Sequence, residues 1–265
     1  MFVSMGLFAI HRALLLFFAA VAGGAINSVA GGGSFLGFPA LLLTGIPPIN
    51  ANATNTMALW PGTVASASAY RRRLAGEDGK FLFPLIAAAV TGGLLGATIL
   101  LQTPQKSFLH LIPYLLSAAT LIFAASGRIG DFVRSYTGHS HKRTKKAVWI
   151  AAAVELVIAT YIGFFGAGAG ILMLAMLAML GIESIHTMNA YKTILGSIGN
   201  GIAIVAFIVR GAIYWPQAIL MLVGAILGGY FGAHYAQKVN PRYVRSIVIA
   251  IGAAMSIYFF RKLGF

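Results

Sequence analysis

Apolar residues run in long blocks along this chain, at roughly Leu7 to Val29, Thr56 to Tyr70, Phe81 to Leu101, Phe108 to Ala125, Val148 to Phe165, Thr193 to Val209, Trp215 to Tyr235 and Val244 to Phe260. A hydrocarbon layer about 30 Å thick takes about 20 apolar residues of helix, so most of these blocks are long enough to cross it. Alternating apolar and polar runs of about 10 residues, the mark of barrel strands, are absent, and the spans therefore read as helices. Two further blocks are short, Phe35 to Leu43 and Ile171 to Leu180. At about 1.5 Å per residue each reaches only about half-way across. Both follow a glycine cluster. The pattern predicts an all-α polytopic membrane protein of about 8–10 helical segments.

Composition agrees: 59% of residues are hydrophobic and only 9% charged, with a mean hydropathy of +0.86. The net charge of +14 changes the picture only in detail, because the 19 Lys and Arg residues gather in short connections. Such clusters fix orientation by staying in the cytoplasm and do not form a face for nucleic acid. The most basic interval, Gly127 to Lys146, holds Arg128, Arg134, Lys142, Arg143, Lys145 and Lys146 and reads as a cytoplasmic loop. Arg71, Arg72, Arg73 and Lys80 mark a second loop on the same side. With no cysteine there is no disulfide, thiolate nucleophile or sulfur-ligated metal. Leu14 to Ala25 behind Arg12 has the outline of a signal peptide, but the repeat described next needs this segment, so it is expected to stay.

The chain after the basic interval matches the chain before it at a nearly constant offset of 136 or 137 residues. Gly45-Ile46 meets Gly181-Ile182, Ala53 and Thr56 meet Ala190 and Thr193, and Gly62 meets Gly199. Gly92-Gly93 with Gly96-Ala97 meets Gly228-Gly229 with Gly232-Ala233. Two homologous halves follow, each with a glycine-broken helix and a short half-helix: residues 1–126, a linker over 127–146, and residues 147–265. An odd number of crossings per half makes the repeats inverted and an even number makes them parallel. The count of basic residues leaves both open.

The first break, Asn27-Ser28-Val29-Ala30-Gly31-Gly32-Gly33-Ser34, corresponds to Gly163 with Gly166-Ala167-Gly168-Ala169-Gly170. Irregular backbone at membrane depth survives only inside the protein or beside a hydrated cavity. A half-helix beginning there turns free N–H groups and the positive end of its dipole toward that cavity, which suits an anion. Tight helix packing is the plainer use of any one of these glycines. The second polar stretch is Pro47-Pro48-Ile49-Asn50-Ala51-Asn52-Ala53-Thr54-Asn55-Thr56, matched by His186-Thr187-Met188-Asn189-Ala190-Tyr191-Lys192-Thr193. Asn50 or Asn52 is expected to cap a helix. Thr54, Asn55, Asn189, Tyr191 and Lys192 lie deeper, where polar groups need partners or a solute.

Glu155 and Lys192 are the ionisable residues set most plainly within apolar stretches, where function is the default reading. They pair with each other, or Lys192 ligates the anion and Glu155 couples transport to protons. The glycines at 92, 96, 224, 228 and 232 read as close helix contacts and are left out of the site. His139 and His141, without a carboxylate or thiol, make a poor metal set. No cofactor is expected.

The run Ala30-Gly31-Gly32-Gly33-Ser34-Phe35, then Ala51-Asn52-Ala53-Thr54-Asn55, then Gly166 to Gly170 with Ala190-Tyr191-Lys192-Thr193 resembles the TauE/SafE family of membrane permeases over nearly the whole chain. The resemblance implies a multi-pass protein of the bacterial inner membrane with about eight spans. It also implies transport, commonly export, of sulfite, sulfoacetate or related sulfonates. A secondary transporter working by alternating access is the expectation, with a passive anion channel and a membrane-embedded transferase as alternatives. The expected partners are a small anionic solute and membrane lipid. Against an enzyme stands the lack of cysteine, of a second in-span carboxylate and of a His–carboxylate pair. No phosphate-binding Gly-x-x-x-x-Gly-Lys-Ser/Thr motif is present.

Overall fold

The structure, a computed structural model, describes residues 2–29, 32–74, 79–136, 144–182, 184–236 and 241–264. Among these residues every regular element is a helix: α1 (Phe2–Val29), α2 (Ser34–Leu43), α3 (Pro48–Leu74), α4 (Gly79–Gln102), α5 (Gln105–Tyr136), α6 (Lys145–Phe164), α7 (Ala169–Met179), α8 (Ile185–Val209), α9 (Trp215–Ala236) and α10 (Pro241–Leu263). Six windows, at 10–27, 82–102, 105–131, 145–164, 186–209 and 245–263, are long and apolar enough to cross a membrane by themselves. Phe83, Leu121, Trp149, Val157 and Val209 each stand more than half exposed, a pattern that lipid tolerates and water does not. This is a multi-pass membrane protein.

The basic interval expected as loop is helical at both ends. α5 continues to Tyr136 and α6 begins at Lys145, with the Thr144 hydroxyl accepting the Ala147 N–H at 3.2 Å. Polar composition ends a membrane span without ending a helix, because backbone pairing is indifferent to what the side chains face. Residues 137–143, which include His139 and His141, lie outside the described residues.

The short blocks are short helices, as expected, and both end in the same way. At the end of α2 the Ile46 N–H bonds Leu41 O and the Gly45 N–H bonds Leu42 O; after α7 the Ile182 N–H bonds Leu177 O and the Gly181 N–H bonds Ala178 O. Gly45 and Gly181 have φ of +89° and +71°. This Schellman closure pairs carbonyls that lipid would leave orphaned, and glycine is the residue that enters the left-handed region freely. Ile46 and Ile182 bury their side chains beside it.

The chain divides into two compact units, each drawing on both sides of the basic interval. The first comprises Met1–Gly62, Pro104–Ser117 and Phe207–Phe265, the second Thr63–Thr103 and Ala118–Ala206. In the first, α1 packs lengthwise on α9; in the second, α4 packs on α6. Glycines form both seams. A methyl group added at Gly224 would lie 2.7 Å from Phe17 O, and one at Gly228 would strike Val21 O. At Gly92 it would lie 2.6 Å from Leu156 O, and at Gly96 it would strike Thr160 O. Contacts advance together along both partners, so the helices of each seam run parallel. Close backbone approach of this kind supplies the packing that membrane helices otherwise lack.

Space around the glycines separates those that pack from those that do not. Gly228→Ala and Gly96→Ala drive a methyl into a carbonyl oxygen and are expected to destabilise by about 1–3 kcal/mol each. Gly196 lies in α8 with open space around it, so Gly196→Ala should be neutral or stabilising by up to about 1 kcal/mol. Thermal unfolding in detergent checks the contrast, and equal effects at Gly196 and Gly228 would contradict it.

Candidate functional site

Each unit presents a half-helix whose first turn is met by a polar side chain from the helix that follows. In the first unit, α2 starts behind buried Gly32 and Gly33; Gly32 O accepts the Phe35 N–H at 3.1 Å and Gly33 O the Leu36 N–H at 3.1 Å. The half-buried Asn27 of α1 lies behind this turn, its Cβ 3.1 Å from where a Gly33 side chain would begin. From α3, Asn55 reaches across, only 1% exposed, and its Nδ2 donates to Ser34 Oγ at 3.1 Å. Its Oδ1 rests on Gly37, where any side chain would displace it, and has no hydrogen-bond partner. Gly31 lies outside the described residues.

In the second unit, Gly166 and Gly168 take left-handed conformations, φ +76° and +79°, to turn the chain from α6 into α7. The Tyr161 hydroxyl donates to Ala167 O at 2.6 Å and holds this turn. The Ala169 N–H bonds Gly166 O and the Ile171 N–H bonds Gly168 O. Gly170 is the second residue of α7, in the first turn, where a helix has no intrahelical acceptors for its N–H groups. Here the reaching side chain is Lys192 of α8. Its stem lies across Gly170, with Cδ 3.3 Å from the position a Gly170 Cβ would take.

Asn55 and Lys192 are separated by the repeat offset, and so are the bonds that set them. Thr56 Oγ1 donates to Asn52 O and Thr193 Oγ1 to Asn189 O, each at 2.9 Å. The same local construction thus carries an amide in one unit and an ammonium in the other. A lysine ammonium beside the positive end of a helix dipole concentrates positive potential at one place.

Other candidates have different surroundings. Thr54 is fully buried and its Oγ1 accepts the Tyr214 N–H at 3.0 Å, at the turn between α8 and α9. Asn50 does not cap α3: its Nδ2 donates to Ala212 O at 2.9 Å while its Oδ1 accepts from Gln105 Nε2 at 3.0 Å, and Gln105 Oε1 takes the Ile49 N–H at 2.9 Å. Asn52 is buried in the second turn of α3 and is no cap either. Tyr191 is fully buried in the core of the second unit. Of the alternatives for Glu155 and Lys192, pairing with each other is not what the structure shows: both Glu155 oxygens lack a hydrogen-bond partner among the described residues. Lys192 is drawn to the start of α7 instead. The Gln105–Asn50–Ala212 staple was not read from the sequence, since nothing local marks Gln105 as meeting residues so distant.

Among the described residues, ten helices, long apolar spans and two half-helices with polar first turns define the class, a polytopic membrane protein, and its relatives make it a membrane transporter. Residues 16–259 match the sequence profile of the family described as sulfite exporter TauE/SafE, and the chain belongs to that family. It is 30% identical over 250 residues to a probable membrane transporter protein, ORF9, of a Sinorhizobium species, covering 94% of this chain and 92% of the relative. It is 29% identical to the probable membrane transporter protein YfcA of Escherichia coli K12, covering 91% and 87%. A probable membrane transporter protein of Haemophilus influenzae is 27% identical, with 87% and 88% covered. No solved structure matches.

Thr54→Val removes the acceptor for the Tyr214 N–H and should cost about 1 kcal/mol of stability. Thr56→Val, which loses only a bond to its own helix, should cost less. Thermal unfolding of the two variants in parallel checks the order.

Proposed function

We propose that the protein is a secondary transporter that exports small sulfur-containing anions, of the sulfite, sulfoacetate or organosulfonate kind, across the cell membrane by alternating access. Lys192 lying across Gly170 at the start of α7 carries this reading. A tetrahedral or pyramidal oxyanion presents several acceptor oxygens to one ammonium and to a helix-start N–H, which together replace part of its hydration shell. The description of the family supports the sulfur chemistry. The pairing of Asn55 with Ser34 at α2 supports a second, uncharged polar contact point for solute in the first unit. Gly166, Gly168 and Gly170 shape the α7 end, and Gly32, Gly33 and Ser34 the α2 end. The repeated Schellman closures and the matched Thr56 and Thr193 bonds support two halves of common descent.

A single charge at the α7 end orders the variants. Lys192→Ala is expected to abolish stabilisation by anions. Lys192→Asn, which copies the residue at the matching position of the first unit, should weaken it by about tenfold to a hundredfold, the 1.5–3 kcal/mol of a hydrogen bond to a charged group. Thermal shift of purified protein with sulfite, thiosulfate, sulfoacetate and sulfate, with chloride as control, reads both. Undiminished stabilisation in Lys192→Ala would remove this lysine from the site. No stabilisation of the unaltered protein by any sulfur oxyanion would overturn the cargo.

A further inference from the structure

The proposal above leaves one group without work. Glu155 sits mid-way along α6 with 0% exposure. One turn to either side on α6 lie Ala151, Ala152, Ile158 and Ala159, all buried. The same core takes in Leu85, Ala88 and Ala89 of α4, Met173 and Leu177 of α7, and Leu195 of α8. Neither carboxyl oxygen has a hydrogen-bond partner among the described residues. An ionised carboxylate so placed would forfeit its hydration with nothing in return, a cost far above that of carrying a proton. Structural carboxylates in protein interiors are held by donors, and this one has none.

The surroundings offer little else that titrates. The described side chains of α4 and all of α7 include no ionisable residue. On α8, His186 is exposed, Tyr191 shares the core, and Lys192 is turned to Gly170. On α6 itself, Lys145 and Lys146 are exposed at the start and the Tyr161 hydroxyl is engaged with Ala167 O. On α5, Arg128 and Asp131 are exposed. Apart from Glu155, the charged groups described in the unit thus lie at its surface or at the α7 end.

We propose that Glu155 is the proton-binding site of the transport cycle: it is the neutral acid in the conformation in which Lys192 attends the α7 end, so that proton and anion are bound together. The inference rests on the anion-transport reading and adds the coupling ion to it. One O–H bond forms on Glu155 when a proton is taken from water at one face, and the same bond breaks when the proton is returned to water at the other. With Lys192 committed to the solute, no cation among the described residues remains in the core to stabilise the ionised form.

The test uses full-length protein in proteoliposomes containing a pH-sensitive dye, with methanesulfonate as the probe because its acid is fully ionised near neutrality and carries no proton of its own. A methanesulfonate gradient should move protons in the same direction as the anion, and Glu155→Gln should lose the proton movement while keeping thermal stabilisation by methanesulfonate. Proton movement in Glu155→Gln equal to that of the unaltered protein would overturn the proposal, as would anion flux without protons in the unaltered protein. Infrared difference spectroscopy guards against a variant that fails to fold. The unaltered protein at neutral pH should show the carbonyl stretch of a protonated carboxylic acid, displaced in Glu155→Asp, and its absence would equally overturn the assignment. Failure of methanesulfonate to bind the unaltered protein would count against the organosulfonate cargo and not against Glu155, whose state the infrared band would still decide.

Discussion

The rest of this structure depends on backbone meeting backbone along two glycine seams. Lipid supplies almost no apolar driving force between helices, so association has to come from packing density, and density is greatest where side chains are removed altogether. Gly224 and Gly228 lay α9 on α1, while Gly92 and Gly96 lay α4 on α6. Each seam fixes one long helix against another. The fixed helix then carries a half-helix in hairpin contact, α2 beside α1 and α7 beside α6.

That support makes the half-helices possible. A helix of ten or eleven residues is too short to be stable by itself. Its closing carbonyls need partners that water would otherwise give. The Schellman closures at Gly45 and Gly181 meet the need at one end, and at the other the glycines ahead of each half-helix fold their own carbonyls back onto the first N–H groups. Fewer orphan donors remain than a bare helix start would show.

Much of the architecture was legible in the sequence because hydrophobic length is a one-dimensional property. The ten helices, both short ones, and the packing role of Gly92, Gly96, Gly224 and Gly228 follow from block lengths and small-residue spacing. Gly45 and Gly181 were marked by recurrence, and their left-handed conformations supply the reason. Where the reading fell short, the cause was tertiary. Whether Glu155 pairs with Lys192 depends on which way two helices are rotated, and no pattern along the chain encodes it. Asn50, expected as a cap, instead joins Gln105 and Ala212 across long sequence separations. The helical ends of the basic interval were missed because charge marks the edge of the bilayer, which is not the edge of a helix.

The α1–α9 seam also sets an order of assembly. Helix α1 is synthesised well before α9, which carries the surface made for it. Until then the α1 backbone at Phe17, Val21 and Gly24 lacks the α9 residues that close on it. The unit containing α4 and α6 joins segments much nearer in sequence and needs no such wait. Of the two seams, the one between α1 and α9 is therefore the later to become available as the chain is made.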